Sequence, residues 1–384
     1  ILGSKRVLFA LTALLATGTN AQQPALLWSA DNLARLRSWV AAAPEDALPR
    51  PDSLALDKAI ASGDSAQIDN AASELALRLA RLHLLGGATS SERAGWGIAD
   101  SDRNMDTSGQ LGVALAGGRL DDFFAGQRPQ HPDYALLRNA YRVEQDTLRK
   151  RVLARNMERW RWMPLSLGQD YVLVNAAAFQ ATRWRGDQRV GTWRVITGKV
   201  GSPTPVFSAT ITGVNLNPWW NVPANIVRES VGSLIRRSPA TARARGYVWG
   251  GGQVRQKPGP QNSLGQMKLV MPNRYSVYLH DTPNRELFDR EVRAFSHGCV
   301  RVGDALGLAA NLLEGVRTRA EIDAIIASRQ SVTISLLRPL PVYIAYFTAG
   351  SAADGSLAFY PDIYGRDGRV SAWASAANTN CSGV

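Results

Sequence analysis

The feature that most constrains this chain is a change of hydrophobic period between residues 160 and 171. Before it, apolar residues recur every three or four positions. Leu33, Leu36, Trp39 and Val40 share one face of a helix over Asp31–Val40, and Ser65–Leu85 reads as a long leucine and alanine helix stopped by Gly86 and Gly87. The stretch "AAPEDALPRPDS" is a proline-punctuated turn between them, and "GGATSSERAGWGIADSDRNMDTSGQ" is a long polar loop. Asp133–Trp162 then predicts one extended, arginine-rich helix closed by Pro164. From Tyr171 the pattern becomes short runs of β-branched and aromatic residues: "YVLVN", "AFQATRWRG", "GTWRVITGK", "VFSATITGV", "QMKLVMP", "SVYLHD", "SVTISLL" and "VYIAYFTAG". The fold class is therefore α+β: a helical front followed by a mainly β domain, with the junction at 155/156.

Two stretches interrupt the β pattern. Residues 217–265 begin "NPWWNVP", pass a short helix around Ile226–Arg237 and end in "GGGQVRQKPGPQNSLG". This is too long for an ordinary connection and predicts a lid or binding loop. Asp304–Glu314 places Ala305, Leu308, Ala309 and Leu312 on one face, predicting a packed helix. Residues 349–384 read as a C-terminal extension and tail. No internal repeat is visible.

The first residues read as an export leader, residues 1–21. Lys5 and Arg6 precede an apolar run from Val7 to Ala16, and Thr19 and Ala21 suit a signal-peptidase site. A membrane span needs about 20 apolar residues, roughly twice this run, so no transmembrane segment is expected in the mature chain. A periplasmic location follows as an expectation. Formal net charge is +12, which directs attention to anionic partners. No zinc-finger, helix-turn-helix or RNA-binding signature accompanies the charge, so nucleic acid is excluded and an anionic envelope polymer preferred.

The chain contains two cysteines. In an oxidising compartment they could form one disulfide, but Cys381 lies in the small polar tail "NTNCSGV". Cys299 instead sits in "AFSHGCVRV", beside residues that alter thiol chemistry. A nucleophilic cysteine needs a base, and two histidines are at hand. His297 lies two positions away, where side chains run parallel. His280 ends the strand "SVYLH" and can reach the sulfur from a neighbouring strand, so His280 is the expected base that ionises Cys299 and His297 a supporting residue. The backbone carbonyl of Asp281 is the candidate for fixing the imidazole tautomer. Gly298 lets substrate approach, and its N–H with that of Cys299 forms the expected oxyanion pocket. Arg301 either lowers the thiol pKa or clamps a carboxylate. A zinc site of His280, His297 and Cys299 is the competing reading, though the spacing matches no usual zinc pair.

Together, "NMERWRWMP", "YVLVN", "TPVFSATITGVNLNPWWNVP", "MPNRYSVYLHDTPNRELFDREVRAFSHGCVRVGDALGLA" and "PVYIAYFTA" resemble the YkuD-type L,D-transpeptidases, in particular their long murein cross-linking subgroup, over residues 156–367. The resemblance implies a helical scaffold domain at 22–155 and a YkuD-like catalytic domain at 156–348, with a capping lid at 217–265. It implies Cys299 as nucleophile, His280 as base, and Asp281 and His297 in support. Ser296, Tyr278, Arg301, Trp219 and Trp220 are then the substrate-binding expectations. The implied chemistry is acyl transfer between donor and acceptor stem peptides of peptidoglycan through a thioester, giving 3-3 cross-links, with 1-3 linkage or carboxypeptidase hydrolysis as variants. The implied activity requires no metal or organic cofactor. Long members carry a small helical peptidoglycan-binding module before the "ERWRW" helix, and "HPDYALLRNAYRVEQDTLRKRVLARNMERWRW" leaves no room for one. An envelope-binding protein with an inactive thiol site is the reading from a different class. Trp160 and Trp162, at the end of their helix, are expected in the core.

Overall fold

The computed structural model describes residues 28–99 and 102–372, so the leader and Cys381 lie outside the described residues. Seven helices come first: α1 (Ala30–Ala42), α2 (Leu54–Ser62), α3 (Ser65–Leu85), α4 (Thr107–Ala116), α5 (Leu120–Gly126), α6 (Pro132–Val143) and α7 (Thr147–Trp160). Their starts are set by side-chain caps: Ser29 accepts from the Asn32 N–H and Asp64 from those of Ala66 and Gln67. Helices α1 to α5 bury Leu36, Leu56, Leu79, Leu111, Leu120 and Phe124 in a core of their own. No helix among the described residues is long and apolar enough to cross a membrane.

The single helix expected over Asp133–Trp162 is two. Glu144 turns extended (φ −66°, ψ 128°), and its carboxylate accepts from the N–H groups of Gln145 and Asp146. Asp146 then caps α7 by accepting from the Arg149 N–H at 2.8 Å. Two acidic side chains thus compete with the helical backbone for its own donors and break it.

The β domain contains β1 (Trp96–Gly97), contributed by the polar loop, then β2 (Asp170–Asn175), β3 (Gln180–Arg185), β4 (Gln188–Gly198) and β5 (Val206–Leu216). Within the insertion lie β6 (Trp220–Asn221), β7 (Tyr247–Gly250) and β8 (Gln253–Gln256). β9 (Met267–Val270), β10 (Leu279–His280), β11 (Ala294–Ser296), β12 (Val300–Val302) and β13 (Val332–Ala345) follow. The main sheet runs β1-β5-β13-β2-β3-β4-β12-β10-β9, and β9 pairs back onto β5, closing the sheet on itself like a barrel. The runs "SVTISLL" and "VYIAYFTAG" supply one strand where two were expected: β13 carries a register shift between Ser335 and Leu340, and a bulge lets one strand bend around the curve. After the insertion, whose short helices are α8 (Ala224–Ile226), α9 (Gly232–Arg237) and α10 (Pro239–Ala244), helices α11 (Ala305–Leu312) and α12 (Arg319–Ser328) add Leu308, Leu312 and Ile322 to the interior.

Strand β2 and the end of β13, residues 342–345, are buried on both faces, which explains their apolar runs. Val172, Val174, Val342 and Ile344 point into the closed sheet, while Tyr171, Leu173 and Tyr343 point outward onto Tyr134, Leu137, Met157 and Trp160 of α6 and α7. The junction drawn at 155/156 therefore falls inside α7 and inside a continuous core. The segment drawn as an extension from residue 349 joins this core too, through the hairpin β14 (Ala349–Ser351) and β15 (Leu357–Phe359). Trp160 and Trp162 are buried there at 2% and 3% exposure, as expected of core residues.

Beneath that core lies a buried polar network. Glu158, 1% exposed, accepts from the Ala88 N–H at 2.8 Å and the Trp162 indole at 3.1 Å, and pairs with the Arg161 guanidinium at 3.2 Å. Arg161 donates in turn to the Asp46 carbonyl and the Tyr134 hydroxyl. Gly86, at φ 75°, ends α3 directly against Glu158, where a Cβ would collide with the carboxylate. The network ties the end of α3 and the turn at Asp46 to α7.

Candidate active site

The cysteine loop joins β11 to β12 and is pinned from both sides. The Ser296 hydroxyl donates to the Cys299 carbonyl at 2.5 Å and accepts the Gly298 N–H at 3.0 Å. Across the loop, the Thr204 hydroxyl donates to the Gly298 carbonyl at 2.9 Å. Gly298 has φ 111°, closed to other residues, which is why glycine precedes the cysteine.

These bonds correct one expectation. The Gly298 N–H is spent on Ser296, so the oxyanion pocket does not draw on it. The Cys299 N–H makes no hydrogen bond among the described residues and remains as the donor. Ser296 is 2% exposed, braces the loop, and lines the same cavity as Cys299.

β10 and β12 run parallel, with Leu279 opposite Val300 and His280 opposite Arg301. Leu279, Val300 and Val302 fill the interior, so the alternation turns Tyr278, His280, Cys299 and Arg301 to the other face. All four line a cavity of about 430 Å³, closed above by Trp220, Ile226, Tyr247 and Leu264 of the insertion. The insertion has its own apolar core of Trp220, Val231, Ala242, Tyr247 and Leu264. Its helical stretch runs through α8 (Ala224–Ile226), a π-turn at Val227–Val231, α9 (Gly232–Arg237) and α10 (Pro239–Ala244), with Glu229 on the π-turn.

His280 is 5% exposed and its Nδ1 lies 2.5 Å from the Asp281 carbonyl. A carbonyl only accepts, so Nδ1 carries the proton and Nε2 is left as the basic nitrogen. The Asp281 carboxylate has a separate task. It accepts the Gln266 N–H at 2.8 Å at the root of the insertion, and Arg285 comes within 2.5 Å as an ion pair. Gly265, at φ 61°, passes so close that any Cβ would strike this carboxylate.

His297 also lines this cavity, and its Nε2 lies 2.8 Å from Glu229 of the lid and 3.4 Å from the Lys199 ammonium. It latches the lid to the cysteine loop, which gives the supporting role a concrete form. Trp220 lines the cavity, and Tyr278 packs against the lid core to which Trp220 belongs. Trp219 does not line this cavity. It lies 37% exposed beneath the Arg255 guanidinium, 4.4 Å from its ring, and faces a second cavity. Among the described residues no group of three His, Cys, Asp or Glu side chains is placed to hold a metal ion.

Lys268 completes the site and was not anticipated. It sits on β9 opposite His280, so a row Lys268, His280, Arg301 crosses three strands. In "QMKLVMP" the core residues Met267, Leu269 and Met271 alternate with Lys268, a readable signal once β9 is known to border β10.

The electrostatics follow from this row. Burial, followed by the neighbouring Arg301 and Lys268, pushes His280 down to about 3. Burial also raises the Cys299 thiol above its usual range, although the Tyr278 backbone, Lys268 and Arg301 oppose it. Both shifts favour a neutral thiol and a neutral imidazole at rest, against the standing ionised sulfur expected from the sequence. Alkylation of Cys299 by iodoacetamide, followed by peptide mapping, should accelerate about tenfold per pH unit from about pH 6 to 9, tracking the thiolate fraction. A rate already flat over that interval would reveal a standing ion pair and overturn the assignment.

Comparison with known proteins bears on the same segment. A family model described as the L,D-transpeptidase catalytic domain, YkuD, matches residues 169–322. Residues 169–322 form a YkuD L,D-transpeptidase catalytic domain. This L,D-transpeptidase domain takes in most of the closed sheet, the lid and the cysteine loop. A Scaffold domain model matches residues 20–140, largely the helical front. A curated Haemophilus influenzae protein, provisionally named an L,D-transpeptidase, is 31% identical over 243 residues, covering 57% of this chain and 48% of that protein. The chain thus spans about half the length of the curated relative it matches. Among solved structures, an L,D-transpeptidase from Mycobacterium smegmatis shares 11% identity over 46% of this chain and 58% of its own, with a TM-score of 0.26. L,D-transpeptidase 1 of Mycobacterium tuberculosis shares 12% over 46% and 61%, with a TM-score of 0.23.

Proposed function

We propose that this chain is a peptidoglycan L,D-transpeptidase in which Cys299 is the nucleophile and His280 the general base. Nε2 of His280 takes the thiol proton as sulfur attacks the carbonyl of the third residue of a donor stem peptide. The Cys299 N–H supports the developing oxyanion. The C–N bond to the terminal D-amino acid breaks, the leaving nitrogen takes the proton back from His280, and a thioester remains. An acceptor amine then attacks, forming a new amide and expelling the sulfur, which recovers its proton through the same imidazole. With the side-chain amine of diaminopimelate as acceptor the product is a 3-3 cross-link. The thiol, imidazole and backbone donor supply the whole reaction, so the mechanism calls for no cofactor.

The observation that carries this reading is the shared face of two adjacent parallel strands, which sets Cys299 and His280 in one lidded cavity. The test is muropeptide analysis: purified sacculi are incubated with the protein, digested, and the dimers sequenced by tandem mass spectrometry. New 3-3 dimers are expected. Dimers of 1-3 type, or shortened stems without dimers, would replace the 3-3 assignment by its variants, and unchanged muropeptides would overturn the enzymatic reading. We further place the protein in the periplasm, exported by the leader at 1–21, because a murein substrate lies outside the cytoplasm. N-terminal sequencing of the envelope-associated form should begin near residue 22, and an intact leader there would refute cleavage.

A further inference from the structure

Two cavities share one wall at the active site. The segment Ser276, Val277 and Tyr278 lines both the lidded cavity that holds Cys299 and a second cavity of about 470 Å³ on its far side. Lys268 and Trp219 line only the second. Lys268 is half-buried, yet it makes no ion pair and no side-chain hydrogen bond among the described residues. Its ammonium rests 4.3 Å from the centre of the Tyr278 ring, and its strand pairing with His280 continues the row to Arg301 beside the cysteine loop. A half-buried cation without a counter-ion is costly to keep, and the cost is recovered when a ligand brings the missing anion.

The chemistry of the proposed reaction says which anion that is. The leaving group is a D-amino acid, whose nitrogen sits on the carbon that bears a carboxylate. The acceptor centre of diaminopimelate has the same arrangement, an amine and a carboxylate on one carbon. Departure and attack follow one path in opposite directions, so one cation beside that path serves both. We propose that Lys268 receives this carboxylate and makes the second cavity selective for amines that carry a neighbouring carboxylate. The inference rests on the thioester reading above. In the step concerned, the amine nitrogen bonds to the thioester carbon, the C–S bond breaks, and the nitrogen's proton passes through His280 to the sulfur. Lys268 holds the carboxylate throughout and exchanges no proton.

The test measures how one acyl-enzyme divides between two acceptors. The full chain is loaded with an unlabelled tetrapeptide donor, and isotopically labelled D-alanine and D-alaninamide compete for the thioester, with labelled products read by mass at initial rate and compared per unprotonated amine. Because both draw on the same intermediate, the product ratio is independent of how fast that intermediate forms. The wild type should favour D-alanine by about 10- to 100-fold, the range of one charge-assisted hydrogen bond. Lys268→Met should bring the ratio close to one, and Lys268→Arg should retain part of the preference. Lys268→Gln, which keeps a polar group on the wall, should behave as Lys268→Met and guards against a misfolded variant. A wild type without preference, or a Lys268→Met protein that keeps it, would overturn the inference while leaving the thioester intact. A wild type that shows no thioester by intact mass would instead overturn the reading beneath it.

Discussion

Replacing Cys299 by alanine should lower acyl transfer by about 10⁴-fold or more, since loss of a nucleophile removes the covalent route and leaves only binding and the oxyanion donor. The fold should barely respond. Cys299 is half-buried, and its loop is held by Ser296 and Thr204 through backbone atoms that the substitution leaves in place. The cleanest readout is intact mass after incubation with a carbapenem: the wild type gains one adduct and Cys299→Ala gains none. An adduct that survives in Cys299→Ala, or transfer within tenfold of wild type, would assign the chemistry elsewhere. His280→Gln should fall between the two, because it removes the proton shuttle but keeps the sulfur.

Glu158→Ala should cost about 3 to 5 kcal/mol of stability, the range for stripping one partner from a buried ion pair. The loss is large because three donors are orphaned together. The Ala88 N–H, the Trp162 indole and the Arg161 guanidinium all converge on this carboxylate. Arg161 would be left charged at 1% exposure, with only the Asp46 carbonyl and the Tyr134 hydroxyl for company. Glu158→Gln should cost less, since its amide oxygen still accepts one of the three. Denaturant midpoints measured by circular dichroism and by tryptophan fluorescence would check both. A shift below about 1 kcal/mol for Glu158→Ala would mean that the network contributes little to holding α3 against α7.

Much of this architecture was legible because its period is unambiguous. "YVLVN" and "VYIAYFTAG" are apolar without a break, and both form strands packed on two sides. The pairing of His280 with the cysteine strand was readable for a similar reason, since a histidine at a strand end has few ways to meet a thiol except from next door. What escaped was decided by particular hydrogen bonds and strand neighbours that hydrophobic spacing does not register. The break at Glu144 turns on a local contest for backbone N–H groups that helical spacing does not register. Gly298 suggested an oxyanion donor, but its N–H had already been claimed by Ser296, a competition visible only in three dimensions. Lys268 looked like any strand lysine until β9 was seen beside β10. Glu229 carried no signal at all, because its partner His297 lies 68 residues away across the lid.

The root of the lid carries a consequence of its own. Leu216 and Met267 face each other across the β5–β9 ladder, and the Asn217 N–H donates to the Gln266 carbonyl at 2.8 Å. The insertion is thus the overgrown tip of a hairpin whose two stems stay zipped whatever hangs from them. Descent with modification can lengthen, shorten or exchange that tip as a cassette, and the reacting strands keep their register while the molecules admitted to them change.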